Sequence, residues 1–347
     1  MRRVILLVVL SMHPAFAHSL YVGSNNHVDY GWNDTVANVE AAMVADVDYY
    51  RARIDATSAD PPEEQVHFNF DSWYWLWLYQ HGNPATGVAA KTPDEFADVM
   101  NKMLHGHFAA PLNPFVTLYG ALSTEAAIRA GNWPGKLQRQ FGVQFLLGEE
   151  IETGTIPWGI ASIWYGSGAR YSWKGVCHCT TPALDPHPLE LFRWQGPDAN
   201  ELLMKWYNIG TTGNNDYKTW GGYEETRKIF DSAVSLSSPC TGSDGCATTV
   251  ANAFTRVNPF TPTVGSGTPT PTPRPPISAL FGQGGDNVHW GGAAPGIGAG
   301  NTCGTSPPDS QGICTKFPQL IHDWNQTHTD KLFWSNEKGA VSPAAPS

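Results

Sequence analysis

Short apolar segments of strand character alternate with amphipathic helical segments along most of this chain. Apolar residues from Val36 to Val47 recur at helical spacing, and a strand-like run at 66–70 follows them. Further strands are predicted at 108–111, 143–147, 169–173, 202–209 and 277–281, and further helices at 92–104, 123–129, 156–164, 224–230 and 317–324. Repeated units of this kind indicate parallel strands joined by right-handed crossovers. About seven or eight such units favour a closed β/α barrel, in which reactive residues lie at the carboxyl ends of the strands.

The N-terminus has the features of an export signal. Met1–Arg3 is positively charged, Val4–Leu10 is apolar, and Ala15–Ala17 has the small residues of a cleavage site before His18. We therefore predict a signal peptide at 1–17 and a secreted or periplasmic protein. The apolar run is too short to span a bilayer, so no membrane anchor is expected.

Charge and cysteine content indicate which partners and which cellular compartment are compatible with this chain. The chain has 31 acidic and 21 basic residues, a net charge of -10, which argues against a nucleic-acid partner. Its 6 cysteines are even in number, as expected in an oxidising compartment, although the pairing is open. Local disulfides are the simplest assignment for Cys240 with Cys246 and for Cys303 with Cys314, and a structural disulfide or buried thiol is favoured over a metal ligand at Cys177 and Cys179.

One large domain is predicted over residues 18–338. The segment 261–276 is rich in Pro, Thr and Gly and resembles a linker. Strand character resumes at Ile277, so we interpret 261–276 as a surface insertion within this domain. Residues 339–347 form a tail with no structural signal, and the sequence leaves the oligomeric state open.

Candidate reactive residues follow several predicted strands. Histidines and carboxylates at such positions, with tryptophans nearby, are typical of a sugar site, because aromatic faces stack on pyranose rings and paired carboxylates cleave glycosidic bonds. Asp71 is also compatible with a helix start, and for Glu149 and Glu150 a solvated or capping position is favoured over a catalytic one. The candidates are His27 and Asp29 after the first strand, Asp71 after the second, Glu149, Glu150 and Glu152 after the fourth, Asp286 and His289 after a late one, and the tryptophans 32, 73, 75, 158, 173 and 290.

The segment from His27 to Trp32, H-V-D-Y-G-W, resembles the opening of the catalytic domain in glycoside hydrolase family 38, the retaining α-mannosidases. The likeness continues in the same order through several later motifs and covers about residues 20–338. Those motifs are Gly106–Phe108, Ser123–Glu125, Leu137–Gly142, the strand pair at 191–198 and 201–206, and Leu280–Asp286.

The resemblance implies a seven-stranded parallel β/α barrel and a zinc ion held by His27 and Asp29. It also implies a carboxylate nucleophile that touches the metal just after the fourth strand. Zinc would act as a Lewis acid on vicinal hydroxyls of a mannoside. We assign Glu152 to the nucleophile and third zinc ligand, with Glu150 as second choice, and Asp286 to the general acid in preference to Asp216.

This chain departs from the family pattern at two places. The turn after the fourth strand has no Asp or His, and the family's remaining zinc ligand is a His in a later helical domain, for which His289 is a candidate substitute here. Two rivals therefore stay open. One is a non-catalytic carbohydrate-binding relative, and the other is a zinc-dependent polysaccharide deacetylase, although His105 and His107 lack the spacing that a deacetylase needs.

Overall fold

The structure of the chain is a computed structural model. It describes residues 19–27, 30, 35–62, 64–115, 117–150, 156–174, 191–206, 277–286, 325–326 and 331–335. The elements in chain order are β1 Ser19–His27, α1 Val36–Ala56, β2 Phe68–Phe70, α2 Tyr74–His81, α3 Pro93–Leu104, β3 Phe108–Ala109, the 3₁₀ turn Tyr119–Ala121, α4 Thr124–Ala130, α5 Asn132–Phe141, β4 Leu147–Glu150, α6 Ile160–Gly166, β5 Tyr171–Lys174, β6 Leu191–Gln195, β7 Glu201–Trp206, β8 Ile277–Asp286 and β9 Lys331–Ser335.

The first sheet has the strand order β3-β2-β1-β8, and every ladder in it is parallel. β1 pairs with β8 along its length, with β2 at Asn25 and Asn26, and with β9 at Ser19–Gly23. Because parallel neighbours require long crossovers, helices lie between these strands in the chain. The predicted alternation of strands and helices is confirmed in this part.

The second sheet has the order β4-β5-β7-β6. β4, β5 and β7 are parallel, whereas β6 and β7 form an antiparallel pair in which Gln195 lies opposite Glu201. The turn at 196–200 is too short for a parallel crossover, so the chain returns as a hairpin. An α/β fold is therefore confirmed, the prediction that all strands are parallel is wrong at β6, and closure into a seven-stranded barrel stays a prediction.

The hydrophobic core lies between the first sheet and helices α1, α2 and α3. Tyr50 of α1 stacks on Phe68 of β2, with ring centroids 3.9 Å apart, and Phe70 packs against Trp75 of α2. These four rings are buried. Burial of each such side chain contributes about 1.5–3 kcal/mol, so the aromatic layer fixes α1 and α2 against β2.

The helix α3 begins as its sequence predicts. The Thr92 hydroxyl accepts a hydrogen bond from Glu95 N, and the Glu95 carboxylate accepts one from Thr92 N, with Pro93 in the first turn. This capping box satisfies two backbone donors that would otherwise lack helical partners. The predicted helix at 92–104 is confirmed.

Other boundaries differ from the predictions. The fourth strand occupies Leu147–Glu150 rather than 143–147, and the following helix begins at Ile160 rather than at 156. Val143 and Phe145 are buried as expected, but β4 is fixed by its pairing with β5 at Tyr171–Lys174. The helices α2 and α5 and the strand β9 were not predicted. The predicted helix at 224–230, the helix at 317–324, the signal peptide, the insertion at 261–276 and all six cysteines lie outside the described residues.

Candidate active site at the carboxyl ends of the strands

Three predicted site residues lie at the same end of three adjacent parallel strands. His27 closes β1, and it pairs in register with Asp286, which closes β8. On the other side of β1, Asn26 pairs with Phe70 of β2, and Asp71 is the next residue of the chain. The topology therefore brings His27, Asp71 and Asp286 to one edge of the first sheet.

Asp71 is a buried carboxylate in a fixed orientation, with 2% of its surface exposed. Its Oδ1 accepts hydrogen bonds from Trp75 Nε1 at 2.7 Å and from Ser72 Oγ at 3.2 Å. Both donors are neutral and belong to the start of α2, so the alternative interpretation of Asp71 as a helix-start residue is also supported. The Asp71 carboxyl group is therefore held in one orientation at the strand end.

Asn113 links the two sheets at the same end. Leu112 N donates to Leu147 O at 2.8 Å, Glu149 N donates to Asn113 Oδ1 at 3.0 Å, and Asn113 Nδ2 donates to Glu149 O. On its other side, Asn113 O accepts from Trp73 N at 2.8 Å. The side-chain amide thus continues the hydrogen bonding from the end of β2 across to β4. The carboxyl ends of β1, β2, β3 and β4 consequently follow one another in space.

Glu149 and Glu150 are both buried, with 2% and 1% of their surfaces exposed, so the predicted solvated position is wrong for both. A Cβ added to Gly148 would lie 2.2 Å from Trp164 Cδ2 of α6, so this face of β4 packs directly on that helix. Successive strand residues point to opposite faces. Glu150 therefore shares the face of Gly148 toward α6, and Glu149 points to the face turned away from α6.

Tyr119 is the other titratable group beside these glutamates. Burial raises the pKa of its hydroxyl, the nearby Trp164 lowers it, and Glu150 and Glu149 raise it further through their charge. The Tyr119 ring also meets the Trp164 ring edge to face, with centroids 5.4 Å apart. Tyr119 therefore stays a neutral phenol on the α6 side of β4.

The predicted tryptophans have different positions. Trp75 and Trp173 are buried in the core, so the prediction that they stack on a sugar is wrong for them. Trp73 is half-buried at the end of β2 and contacts Trp133 at a centroid distance of 5.1 Å. Trp158 is 62% exposed, and its Nε1 donates to Gln195 O at 2.6 Å. Trp73 and Trp158 remain candidates for sugar contact.

Several predicted site residues lie outside the described residues. They are Asp29, Trp32, Glu152, Asp216, His289 and Trp290. Within the described ranges, no group of three or more His, Cys, Asp or Glu residues has the geometry to hold a metal ion, but two of the three predicted zinc ligands are not in those ranges. Imidazole nitrogen and carboxylate oxygen are donors that zinc takes, so the residues gathered at this edge fit zinc in chemical type.

Asn113 was not identified from the sequence, and the sequence did not show that Glu149 points to the face of β4 turned away from α6. The signal for Asn113 is its place between Pro111 and Pro114, because prolines interrupt a regular ladder and a side-chain amide supplies the missing hydrogen bonds. The signal for Glu149 is the adjacent Gly148, since a glycine in a strand marks a close approach on its own face.

The sequence matches no protein-family model and no curated protein. Its fold, in contrast, is similar to solved structures. One is an α-mannosidase from Enterococcus faecalis V583, with TM-score 0.56 and 12% identity, and the match covers 92% of this chain and 28% of that chain. The second is a glycosyl hydrolase family 38 protein from Enterococcus faecalis, with TM-score 0.45, 11% identity and coverage of 76% of this chain and 23% of that chain. The third is a 4-α-glucanotransferase from Thermococcus litoralis, with TM-score 0.51, 13% identity and coverage of 95% of this chain and 41% of that chain.

The chain spans 28% of the length of the α-mannosidase from Enterococcus faecalis. The likeness confirms, at the level of fold, the resemblance to α-mannosidases that the H-V-D-Y-G-W motif indicated. The structural neighbours are carbohydrate-active enzymes, so a glycosidase-like fold is established. No helix within the described ranges is both long and apolar enough to cross a membrane.

Proposed function

We propose that this chain is the zinc-dependent catalytic domain of an exported retaining glycoside hydrolase that acts on α-mannosides, a divergent relative of family 38. The observation that carries the proposal is the meeting of His27, Asp71 and Asp286 at the carboxyl ends of adjacent parallel strands. Carboxyl strand ends are where β/α enzymes hold their reactive groups. The similarity of fold to an α-mannosidase supports the choice of substrate class.

His27, Asp29 and Glu152 would hold the metal. Zinc, when bound, would polarise vicinal sugar hydroxyls and orient the ring. Asp71 would keep a buried negative charge next to His27, which favours a cation at this edge. The half-buried ring of Trp73 lies at the end of β2, where it would contact an apolar sugar face.

Two carboxyl groups would carry out the displacement. The nucleophile attacks the anomeric carbon as the glycosidic bond breaks, and Asp286 gives its proton to the leaving oxygen. Asp286 then takes a proton from water, the water oxygen bonds to the anomeric carbon, and the nucleophile leaves as a carboxylate. Glu152 is the nucleophile proposed from sequence. Glu149 is the candidate among the described residues, because it lies one residue before the end of β4 and points to the face turned away from α6.

Matched glutamate variants test this assignment. Hydrolysis of an aryl α-mannoside is measured for Glu149→Gln, Glu152→Gln and Glu150→Gln. Loss of the nucleophile should lower kcat more than about 10⁴-fold with the fold intact. Glu150→Gln is the control, because this side chain faces α6 and should keep kcat.

A fluorinated mannosyl inhibitor that traps the covalent intermediate identifies the nucleophile directly. Peptide mapping should find the label on Glu149 or on Glu152, and a label on Glu150 would contradict the assignment of faces in β4. Metal analysis of the purified protein should find one zinc that His27→Ala loses. Turnover of α-glucosides without turnover of α-mannosides would instead favour a function nearer to the glucanotransferase, and sugar binding without turnover would favour the non-catalytic alternative.

A further inference from the structure

A fully buried glutamate of α1 accepts hydrogen bonds from four residues in three segments of the chain. Glu40 is 0% exposed. Its carboxylate accepts from Tyr30 OH at 2.5 Å, from Tyr74 OH at 2.6 Å, from Asn83 Nδ2 at 2.9 Å and from Thr86 Oγ1. The donors come from the loop after β1, from α2, and from the loop between α2 and α3. A carboxylate with this many donors is rigidly oriented.

Tyr30 is the member of this cluster that connects it to the proposed metal site. It follows Asp29 directly in the chain and lies three residues after His27. Its ring meets the Tyr74 ring edge to face at 5.7 Å and the Phe115 ring at 5.3 Å. Tyr74 and Phe115 also contact each other, with centroids 4.4 Å apart, so the hydroxyl and one side of the Tyr30 ring are held. Tyr30 is thus a fixed point of the chain directly after Asp29.

We propose that Glu40 acts through Tyr30 as a positioning pair that holds the loop after β1 and thereby sets the geometry of the zinc ligands His27 and Asp29. The inference rests on the zinc site of the proposed function. Groups that orient metal ligands without touching the metal change metal affinity about 10- to 100-fold when they are removed. A rigid fixed point one residue from a ligand lowers the ordering cost that metal binding would otherwise carry.

Tyr74 supplies a matched control for Tyr30. Both tyrosines donate a short hydrogen bond to the same Glu40 oxygen, but Tyr74 belongs to α2 and has no covalent link to the loop after β1. Replacing either by Phe removes one hydroxyl and keeps the ring. A purely structural role predicts a similar fall in Tm for both variants and unchanged zinc affinity at 25 °C for both.

The experiment measures zinc affinity by competition with a chelating dye on the full chain. The positioning role predicts that Tyr30→Phe raises the zinc Kd about tenfold, whereas Tyr74→Phe leaves it within about twofold. The absorption spectrum of the cobalt-loaded protein reports ligand geometry and should change in Tyr30→Phe only. Glu40→Gln should weaken zinc binding as well, and adding Tyr30→Phe to it should cost little more, because both changes remove one interaction.

The outcomes separate the two proposals. Wild-type zinc affinity and an unchanged cobalt spectrum in Tyr30→Phe would overturn the positioning role and leave the zinc site standing. An equal loss of affinity in Tyr74→Phe would also overturn it, because the effect would then come from general loosening of the cluster. A wild-type protein that binds no zinc would overturn the proposed metal site and this inference with it.

Discussion

The strands β2 and β3 carry polar residues at both ends, and the two ends differ in the chemical type of these residues. At the amino ends, the rings of His67 and His107 stack with centroids 5.0 Å apart. His67 Nδ1 donates to Gly106 O at 2.9 Å, and His107 Nδ1 donates to Val66 O at 3.1 Å. Each imidazole is thus hydrogen-bonded to the backbone segment that precedes the other strand. At the carboxyl ends lie the buried carboxylate of Asp71 and the bridging amide of Asn113.

The difference separates a structural use of polar groups from a functional one. Burial lowers the pKa of both imidazoles, which favours their neutral form, and each ring donates a hydrogen bond to a backbone carbonyl. The carboxyl ends instead hold the buried carboxyl group of Asp71 at the edge that His27 and Asp286 share. Burying a carboxyl group costs stability, so we expect the end that carries it to be the functional one.

Among the variants that test this difference between the two ends, Asp71→Asn has the largest expected effect on activity. Asparagine keeps an oxygen that accepts from Trp75 Nε1 and Ser72 Oγ, so the fold should hold, but it removes the negative charge from the site. We expect kcat/KM on an aryl α-mannoside to fall about 10²-fold or more. Tm should change by only a few degrees.

Asp94→Asn is the control for Asp71→Asn, because Asp94 is exposed in the first turn of α3 and its variant should keep full activity. Wild-type kcat/KM in Asp71→Asn would show that Asp71 is only a structural partner of Trp75. The two ends of β2 would then not differ in the way argued above.

The next effect is on stability, in Asn113→Ala. Alanine removes the side-chain amide that hydrogen-bonds to the buried N–H and C=O of Glu149. Because each unsatisfied group costs about 1–3 kcal/mol, the free energy of unfolding should fall by about 4 kcal/mol. Denaturant unfolding measures this change. Asn101→Ala, at an exposed position of α3, should change stability by less than about 0.5 kcal/mol. Equal stability of both variants would contradict the role of Asn113 as the link between the sheets.

Local signals made part of this architecture predictable from sequence. The capping box at Thr92 depends only on residues within one turn, so the helix that follows was placed correctly. The limits of β4 depend on its pairing with β5, which lies more than twenty residues later, and the apolar run at 143–147 therefore placed this strand about four residues too early. Pairing partners of this kind are set by tertiary structure and not by local propensity.

The strand ends that carry the site residues were predictable, but the faces to which the side chains point were not. His27, Asp71 and Asp286 were proposed because each follows an apolar strand, and the parallel register brings their backbones together. Nothing local distinguishes Glu149 from Glu150, which only the packing of Trp164 on Gly148 separates. For the same reason the sequence did not show that Trp75 and Trp173 belong to the core.

The smallest expected effect is the pH dependence that His67 gives to stability. Burial is the largest cause that lowers its pKa, to about 4, and the charge of His107 lowers it further, against the hydrogen bond with Gly106 O. An unfolded histidine titrates near 6.5, so between about pH 6.5 and 4 the unfolded chain binds more protons than the folded one. The stabilisation is therefore complete above pH 6.5 and is lost as the pH falls toward 4, by up to about 3 kcal/mol.

Because carboxylates titrate in the lower part of this range, the informative quantity is the difference in unfolding free energy between wild type and His67→Gln, whose amide still donates to Gly106 O. This difference should shift in favour of the variant by about 3 kcal/mol between pH 7 and pH 4. Parallel pH curves for wild type and His67→Gln would mean that the His67 imidazole is charged in the folded protein. That result would contradict the claim that the histidines at the amino end of β2 are neutral.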